Sequence, residues 1–380
     1  MGAFVSTERR IHPAVRGAVL LGLLYLFLVG IQLLSATFKG LGKEQAEALI
    51  QGISNPFAGL AVGILATVLV QSSSVTTAFV VGIVTVGELT PEAISAYVPV
   101  IMGANIGTTV TNTLVSMGHM RRSVEFRRAF AGATVHDFFN LICVAIFLPI
   151  EIMTGVLGKS AVWLVNAMQL NTGVEYKSPI KSAVKAGAKE IQGWLGEGGL
   201  GVTGNWFAAL SVVAAIALLM TALVWITRNM RVLMAGRIEQ TLNRALEKSG
   251  LLGILLGVLI TVSVQSSSIT TSLLIPMFGA GLLRLDAGFP ILLGANIGTT
   301  VTALLAAVVK GPAGLAIAIV HLLFNLGGTL LFFPSKKMRS IPIYLARRLA
   351  FTAQRRRIWV LVYVVGAFVV GPLLGILLFR

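Results

Sequence analysis

Charged residues are scarce in this sequence, and acidic ones are scarcer still. Only 12% of the 380 residues are Asp, Glu, Lys or Arg, whereas 56% are hydrophobic. Soluble domains carry about 25% charged residues, so this composition excludes an ordinary soluble protein and indicates a chain that crosses a membrane several times. The net charge of +16 comes from basic residues clustered between apolar runs. That placement is typical of cytoplasmic loops and not of a nucleic-acid-binding surface.

Two further shortages exclude other kinds of chemistry. The single cysteine, Cys143, lies in an apolar run, so no disulfide or cysteine-based metal site is possible and packing is its expected role. Gly158-Lys159-Ser160 imitates the end of a nucleotide-binding loop, but the first glycine that the motif requires is replaced by Met153. We therefore predict that the protein is neither an ATP-driven transporter nor an enzyme.

Two polar clusters stand out against the apolar background. Gln71-Ser72-Ser73-Ser74 and Gln265-Ser266-Ser267-Ser268 are both flanked by runs rich in Val, Leu, Ile, Ala and Gly. Unpaired hydrogen-bonding groups are costly in hydrocarbon, so the repeated cluster indicates a polar ligand, and its uncharged donors suit an anion that must be released again. The alternative is that the hydroxyls only tie helices together, a common use of Ser and Thr in membranes.

The apolar arms on either side of each cluster are short. Residues 56–70 and 75–86 flank the first cluster, and residues 250–264 and 269–281 flank the second. Each arm is shorter than the ~20 residues that a helical crossing needs. We predict two re-entrant helical hairpins with the polar clusters at their tips, with one long, tilted helix as the alternative for each.

A second motif follows each hairpin. Residues 103–111 and 294–302 both read Gly-Ala-Asn-Ile-Gly-Thr-Thr-Val-Thr. Glycines around an asparagine loosen a helix, so we predict an unwound transmembrane helix in each copy. Hydroxyl, amide and carbonyl oxygens suit a small hard cation such as sodium. The candidate sodium ligands of the two motifs are Asn105, Thr108, Thr109, Asn296, Thr299, Thr300 and Thr302.

The next helix of each copy carries a histidine and, one turn later, an asparagine. These pairs are His136 with Asn140 and His321 with Asn325. For both histidines we predict hydrogen bonding between helices in preference to direct ligation.

Asp137 breaks the symmetry between the copies, because its counterpart is Leu322. An ionisable side chain inside a membrane helix costs about 2.5 to 3.5 kcal/mol and is a functional candidate by default. We therefore add Asp137 to the candidate sodium ligands.

The number of predicted crossings relates the two copies. Three helices, 91–117, 129–150 and 206–226, separate the two hairpins, and because three is odd the copies are inverted. The predicted fold is an all-α polytopic membrane protein with two inverted-topology repeats, an arrangement that places substrate near mid-membrane. Its segments are 1–54 (first transmembrane helix and connector), 55–150 (repeat 1), 151–249 (external loop, transmembrane helix and amphipathic stretch), 250–334 (repeat 2) and 335–380 (basic loop and last transmembrane helix).

These motifs, together with Phe-Arg-Arg-Ala-Phe-Ala-Gly-Ala-Thr-Val-His-Asp-Phe-Phe-Asn at 126–140, closely resemble the type II sodium-dependent phosphate cotransporters. The likeness covers 55–149 and 250–334. It implies a phosphate site at the two serine clusters and a sodium site around Gln265, Ser266, Thr299 and Thr302. In members of this family whose transport is electrogenic, an aspartate follows the histidine of the Ala-Gly-Ala-Thr-Val-His motif. The resemblance therefore implies that Asp137 helps to bind one extra sodium ion.

The resemblance also implies the function. We expect a multi-pass plasma-membrane symporter, with a cytoplasmic N-terminus, that imports inorganic phosphate with sodium ions by alternating access. Sodium is a co-substrate and no cofactor is expected; the expected partners are phosphate, sodium and the bilayer, and a homodimer of functional protomers is left open. The short, cysteine-free external segment without an Asn-x-Ser/Thr acceptor suggests a compact bacterial member. The alternatives are a carrier of another oxyanion, such as sulfate or arsenate, and a channel or non-transporting sensor.

Overall fold

Seven helices in the described part of the chain are long and apolar enough to cross a membrane. The computed structural model describes residues 13–40, 53, 55–84, 89–170, 179–196, 198–234, 250–308 and 310–379. The connector at 41–52 and most of the predicted amphipathic stretch at 228–248 lie outside these residues. The seven spans match the crossings predicted from the sequence: Val15–Thr37, Pro91–Met117, Ser123–Thr154, Gly204–Ile226, Leu285–Ala307, Pro312–Phe332 and Ile358–Phe379.

The first half of the chain forms a long helix, a pair of short helices and four further helices. Thr90 accepts a hydrogen bond from the backbone N–H of Ala93 and Pro91 occupies the first helical position, so the sequence itself starts the helix after the first pair. The elements are α1 (Pro13–Gly40), α2 (Pro56–Val70), α3 (Ser73–Ile83), α4 (Pro91–Ser95), α5 (Val98–Gly107), α6 (Val110–Met117) and α7 (Ser123–Thr154).

The second half repeats this order after three intervening helices. A short helix pair is again followed by two long apolar helices, and a basic helix then precedes the last span. The elements are α8 (Val156–Leu170), α9 (Pro179–Leu195), α10 (Gly204–Met234), α11 (Gly250–Val264), α12 (Ser267–Ala280), α13 (Leu285–Ala307), α14 (Pro312–Phe332), α15 (Lys336–Arg355), α16 (Ile358–Val365), a π-helical segment (Gly366–Val370) and α17 (Gly371–Phe379).

Two stretches predicted as loops are helical. The expected external loop after residue 150 contains α8 and α9, and the expected basic loop at 336–357 is α15. In α15 the buried residues Ile343, Ala346, Ala350 and Ala353 recur every three or four positions, which is the period of a helix with one face against the protein. The density of basic residues concealed that period.

Each serine cluster lies at the turn of a helix pair. Thr67 on α2 donates a hydrogen bond to Thr76 on α3 at 3.0 Å, and Thr261 on α11 donates to Thr270 on α12 at 2.9 Å. Nine residues along one continuous helix would span about 13 Å, so these bonds exclude the long-helix alternative for both copies.

The glycines of the repeated motif serve close packing. α2 packs along α5, and α11 packs along α13. A Cβ at Gly103 would meet the carbonyl oxygen of Leu60, and a Cβ at Gly294 would meet that of Ile254. Small residues allow such backbone approach between membrane helices, so in both copies the glycine holds the helix against its hairpin.

The predicted unwinding of this helix is wrong for the second repeat, where α13 continues through residues 294–302. In the first repeat only Thr108 and Thr109 separate α5 from α6, and their backbone dihedrals stay in the right-handed helical region. The hydroxyls of Thr108 and Thr299 donate back to the carbonyls of Ala104 and Ala295, one turn earlier. The chain therefore keeps its helical path where the glycines suggested a break.

The two repeats interlock through the second arm of each hairpin. Helix α3 packs against α13 and α14, whereas α12 packs against α6 and α7. Phe139 of α7 meets Phe289 of α13 and Phe332 of α14 at ring-centroid distances of 5.9 and 5.3 Å. The apolar core thus lies between the repeats, and one serine cluster lies at the turn that precedes each of the two arms, α3 and α12.

A polar bridge crosses this core. His136 Nε2 lies 2.6 Å from the amide oxygen of Asn296, whose amide nitrogen donates to Asn140 at 2.8 Å. An amide oxygen can only accept, so His136 Nε2 carries the proton. The prediction of interhelical hydrogen bonding is confirmed for His136. It is wrong for His321, whose two ring nitrogens are buried without a partner among the described residues.

Because only His136 has a hydrogen-bond partner among the described residues, the two histidines should contribute differently to the stability of the fold. His136→Leu should lower the free energy of unfolding by about 1–3 kcal/mol, because the buried oxygen of Asn296 loses its donor. His321→Leu removes no hydrogen bond between described residues and should leave stability unchanged or raise it. Thermal unfolding of the purified protein in detergent measures both, and equal losses in the two variants would contradict this account.

Candidate functional site

The turn of each hairpin is built around a glutamine in a left-handed conformation. Gln71 (φ 57°) and Gln265 (φ 55°) are the only non-glycine residues with positive φ in the described part of the chain. Such a residue costs about 1–3 kcal/mol and persists only where its surroundings require it. The side-chain nitrogens of the two glutamines donate to the carbonyls of Val68 and Val262 at 2.6 and 2.7 Å, which satisfies groups left open at the helix ends.

The same two glutamines connect the hairpins to the repeated motif. Thr111 donates to the side-chain oxygen of Gln71 at 3.1 Å, and Thr302 donates to that of Gln265 at 3.2 Å. A threonine of each Gly-Ala-Asn-Ile-Gly-Thr-Thr-Val-Thr segment is therefore joined to the tip of its hairpin. This brings the predicted phosphate ligand Gln265 and the predicted sodium ligand Thr302 together.

The serines form the start of the second arm in each hairpin. Ser72 and Ser266 are N-caps, accepting hydrogen bonds from the N–H groups of Val75 and Ile269 at 3.3 and 3.4 Å. The next two serines of each cluster occupy the first helical positions. The N–H groups at those positions have no partner within a helix, so two backbone donors remain at each tip.

The hydroxyls of these later serines are available as well. Ser73, Ser74 and Ser267 are buried, with relative exposures of 5%, 6% and 3%. No hydrogen bond joins these hydroxyls, or that of the half-buried Ser268, to another described residue. Each tip thus offers two hydroxyl donors and two backbone donors at the positive end of a helix dipole, a favourable arrangement for an anion. None of the hydrogen bonds between described residues joins one tip directly to the other.

The threonines and asparagines of the motif are largely engaged within the protein. The hydroxyls of Thr108, Thr109, Thr299 and Thr300 donate to backbone carbonyls of preceding residues at 2.7 to 2.9 Å. A donating hydroxyl keeps its lone pairs for a cation. Asn105 donates to the carbonyl of Ile101, and the side chain of Asn296 is bonded at both ends in the bridge to His136 and Asn140.

Asp137 is fully buried on α7 and holds a defined set of neighbours. Tyr363 of α16 donates its hydroxyl to Asp137 Oδ2 at 2.7 Å, and Thr113 of α6 donates to the same oxygen at 3.5 Å. The other oxygen, Oδ1, is buried without a partner among the described residues. A buried carboxylate with one free oxygen beside a threonine-lined helix can bind a cation.

A further polar contact links the repeats next to this carboxylate. The side-chain oxygen of Asn112 on α6 accepts hydrogen bonds from Thr271 at 2.7 Å and Ser272 at 3.2 Å, both on α12. Asn112 is buried, and its amide nitrogen has no partner among the described residues. The arm that follows the second serine cluster is thereby attached to the helix whose Thr113 contacts Asp137.

Sequence reasoning missed Tyr363 and Asn112. Tyr363 is a polar residue within the last apolar span, three residues before the π-helical segment begins at Gly366, and such segments are frequent at functional sites. Its place in an otherwise hydrophobic run was the available signal. Asn112 immediately follows the threonine-rich motif, and its polarity in a membrane span could have singled it out.

Seven apolar spans, two matching hairpins with donor-rich tips and a polar interface between the copies define a polytopic membrane protein built from an internal repeat. Residues 26–160 and 218–347 match the family model described as Na+/Pi-cotransporter, which includes both hairpins and both copies of the motif. The chain belongs to this family, and the resemblance found in its sequence is confirmed.

Individual relatives agree with the family match. The chain is 30% identical to sodium-dependent phosphate transport protein 2A of Rattus norvegicus, covering 93% of this chain and 66% of that protein. It is also 30% identical to sodium-dependent phosphate transport protein 2B of Homo sapiens, covering 93% of this chain and 64% of that protein. The chain thus spans just under two thirds of the length of these relatives. No solved structure matches it.

The contact between Tyr363 and Asp137 predicts a measurable contribution to stability. Tyr363→Phe should lower the free energy of unfolding by about 1.5–3 kcal/mol at neutral pH, because hydrogen bonds to charged groups are the stronger ones. The control is Tyr25→Phe, which removes an exposed hydroxyl that donates to the carbonyl of Ala183 at 3.2 Å. Thermal unfolding in detergent compares them, and a Tyr363→Phe variant no less stable than Tyr25→Phe would show that the contact is unimportant.

Proposed function

We propose that this protein is a secondary active transporter that imports inorganic phosphate with sodium ions. The observation that carries the proposal is the pair of hairpin tips, each with two serine hydroxyls and two backbone N–H groups that no described residue occupies. Family membership and the printed names of the relatives support the same substrates.

The tips suit phosphate because they donate hydrogen bonds without carrying a formal charge. Phosphate oxygens are strong acceptors, and helix N-termini attract anions through their open N–H groups and dipole. A cationic side chain at the same place would hold the anion more firmly and hinder its release. We therefore assign phosphate to Gln71, Ser72, Ser73 and Ser74 of the first tip and to Gln265, Ser266, Ser267 and Ser268 of the second.

Sodium ions would bind beside these tips. The joined side chains of Gln265 and Thr302, with Ser266 and Thr299 nearby in sequence, supply oxygen ligands for one ion in the second repeat. Asp137 would supply a carboxylate oxygen for a further ion in the first repeat, which makes import carry net positive charge. A cation next to a bound anion lowers the cost of burying either, and that mutual stabilisation couples their transport.

Alternating access would follow from inverted repeats with re-entrant hairpins. Three spans lie between the two hairpins, and α8 and α9, with 15 and 17 residues, are shorter than the ~20 residues of a crossing. From this odd count we infer that the hairpins enter from opposite leaflets, an arrangement used by secondary transporters. We assign a cytoplasmic N-terminus because the arginine-rich stretches at 121–128 and 336–357 then lie on the cytoplasmic side. We assign the protein to the plasma membrane and leave a homodimer open.

Phosphate uptake into proteoliposomes tests the proposal directly. An inward sodium gradient should drive accumulation of labelled phosphate against its own gradient, and Ser267→Ala should reduce uptake at least tenfold by removing a donor from the second tip. Ser211→Ala is the matched control, since it removes a buried hydroxyl from α10, outside both tips. Uptake independent of sodium would contradict the proposal, as would stronger competition by sulfate or arsenate than by unlabelled phosphate.

The charge carried per phosphate tests the role of Asp137. Asp137→Gly should abolish or strongly reduce the net charge moved per phosphate under voltage clamp or in a liposome assay, because the carboxylate that binds the extra sodium ion is gone. Leu322→Gly is the matched control at the equivalent position of the second repeat and should leave the charge per phosphate unchanged. An unchanged ratio in the Asp137→Gly variant would refute this sodium assignment while leaving phosphate import itself intact.

A further inference from the structure

A basic cavity lies away from the hairpin tips, where the two repeats meet α15. It has a volume of about 490 Å³ and is bounded by the start of α7, the turn between α12 and α13, and the middle of α15. Four arginines line it: Arg127 and Arg128 from α7, Arg284 from the turn, and Arg347 from α15. The sequence alone treats Arg127 and Arg128 as charges that fix topology, but it does not predict that four guanidinium groups converge.

The cavity carries a charge that the protein does not neutralise. Its one carboxylate, Asp286, is bonded to Arg347 at 2.9 Å, so four arginines and one aspartate leave a charge of +3. Arg127, Arg128 and Arg284 form no ion pair with a described residue. Holding like charges together without a counter-ion is unfavourable, so the arrangement favours an anionic occupant.

Several other arginines nearby have partners. Arg122 forms an ion pair with Glu125 at 2.9 Å. Arg357 lies 4.0 Å from the ring centroid of Phe126 and donates to the carbonyl of Met120. Several arginines of this region are therefore paired, whereas Arg127, Arg128 and Arg284, which line one cavity together, form no ion pair with a described residue.

The backbone also fits an anion here. Gly281 ends α12 with φ 76°, and a Cβ there would lie 2.6 Å from Nη1 of Arg128, so the glycine makes room for this guanidinium. Helix α13 begins after Arg284 without a side-chain cap, which leaves first-turn N–H groups open beside the arginines. Phe278 and Phe351 form apolar walls, which reduce screening by water.

We propose that this cavity binds a multiply charged phosphate group, from either a soluble polyphosphate or the headgroup of an anionic lipid. Planar guanidinium groups bind phosphate oxygens bidentately, and several of them match a multiply charged group. The volume falls within the range of about 300–1,000 Å³ that holds organic ligands, so the cavity has room for more than one phosphate. Basic pockets between transmembrane helices are known to accept lipid headgroups, which makes both sources chemically reasonable.

An occupant would contact both repeats and α15 at once. Its binding would therefore favour the arrangement of these three parts seen here over any in which they have separated, because a ligand shifts a conformational equilibrium toward the state that binds it better. The site is distinct from the transport site, and its test does not depend on the proposed function.

Inorganic triphosphate is the soluble probe, and the full chain in nanodiscs of phosphatidylcholine is the receptor. Calorimetric titration should show saturable binding that weakens about tenfold or more in Arg128→Gln/Arg284→Gln, since two charge-assisted contacts are lost. Arg348→Gln is the matched control: this exposed arginine adjoins Arg347 but lies outside the cavity. Weaker triphosphate binding in Ser267→Ala, with no loss in Arg128→Gln/Arg284→Gln, would put the probe at the hairpin tips and overturn the assignment to this cavity.

Nanodiscs that also contain phosphatidic acid distinguish the two sources. If the lipid is the occupant, triphosphate binding should be lost in these nanodiscs, and native mass spectrometry should find phosphatidic acid retained by the unaltered chain but not by the double variant. If the occupant is soluble, triphosphate binding should persist. The proposal is overturned if the unaltered chain binds neither probe, if the double variant binds as well as the unaltered chain, or if Arg348→Gln weakens binding equally.

Discussion

A hydroxyl or amide group inside a membrane has no water to bind, so it must find a partner within the protein or serve a ligand. Both outcomes occur within a few residues of each hairpin tip. Thr67 donates to Thr76 and thereby fastens the two arms, whereas the hydroxyls of Ser73 and Ser74 bond to no other described residue. The paired groups fix the position of the unpaired ones, and the proposed function depends on this division, because it leaves donors at the tip for a ligand.

The division depends on local geometry that only certain residues provide. A turn with one left-handed residue followed by an extended serine ends one helix and starts the next without a loop. Gln71 compensates for its backbone strain by bonding to Val68 and receiving a bond from Thr111. A glycine would adopt the same backbone more easily but could form neither side-chain bond. The glutamine thus fixes the tip to the following helix.

Sequence reasoning predicted the features that come from a duplicated motif or from the length of an apolar run. The seven spans, the helix pairs around the serine clusters and the bridging role of His136 followed from apolar runs and duplicated motifs. It failed where a residue's role depends on a partner distant in sequence. Gly294 suggests a broken helix until α11 is seen to pack against it, and Tyr363 lies 226 residues from Asp137, so no local pattern connects them. The charges of α15 likewise obscured a helical period.

The two copies are not identical, and their differences separate two roles that identical copies would share. These roles are the proposed binding of phosphate and the proposed binding of an extra sodium ion. Thr111 and Thr302 make equivalent bonds, but the next two residues are Asn112 and Thr113 in one copy and Ala303 and Leu304 in the other. Consequently Thr271 bonds to Asn112, whereas its counterpart Thr77 is buried with no partner among the described residues, and α3 packs against the helix that carries Ala303.

Asp137, whose counterpart in the second repeat is Leu322, and its donor Tyr363 add to the polar residues of the first copy. Equivalent tips can share one anion placed between them, because each contributes the same donors. An ion that is bound in addition to that anion needs a place which only one copy provides. Under the proposed function the polar residues around α6 would supply that place, whereas the equivalent positions of α13 and α14 are apolar and offer none.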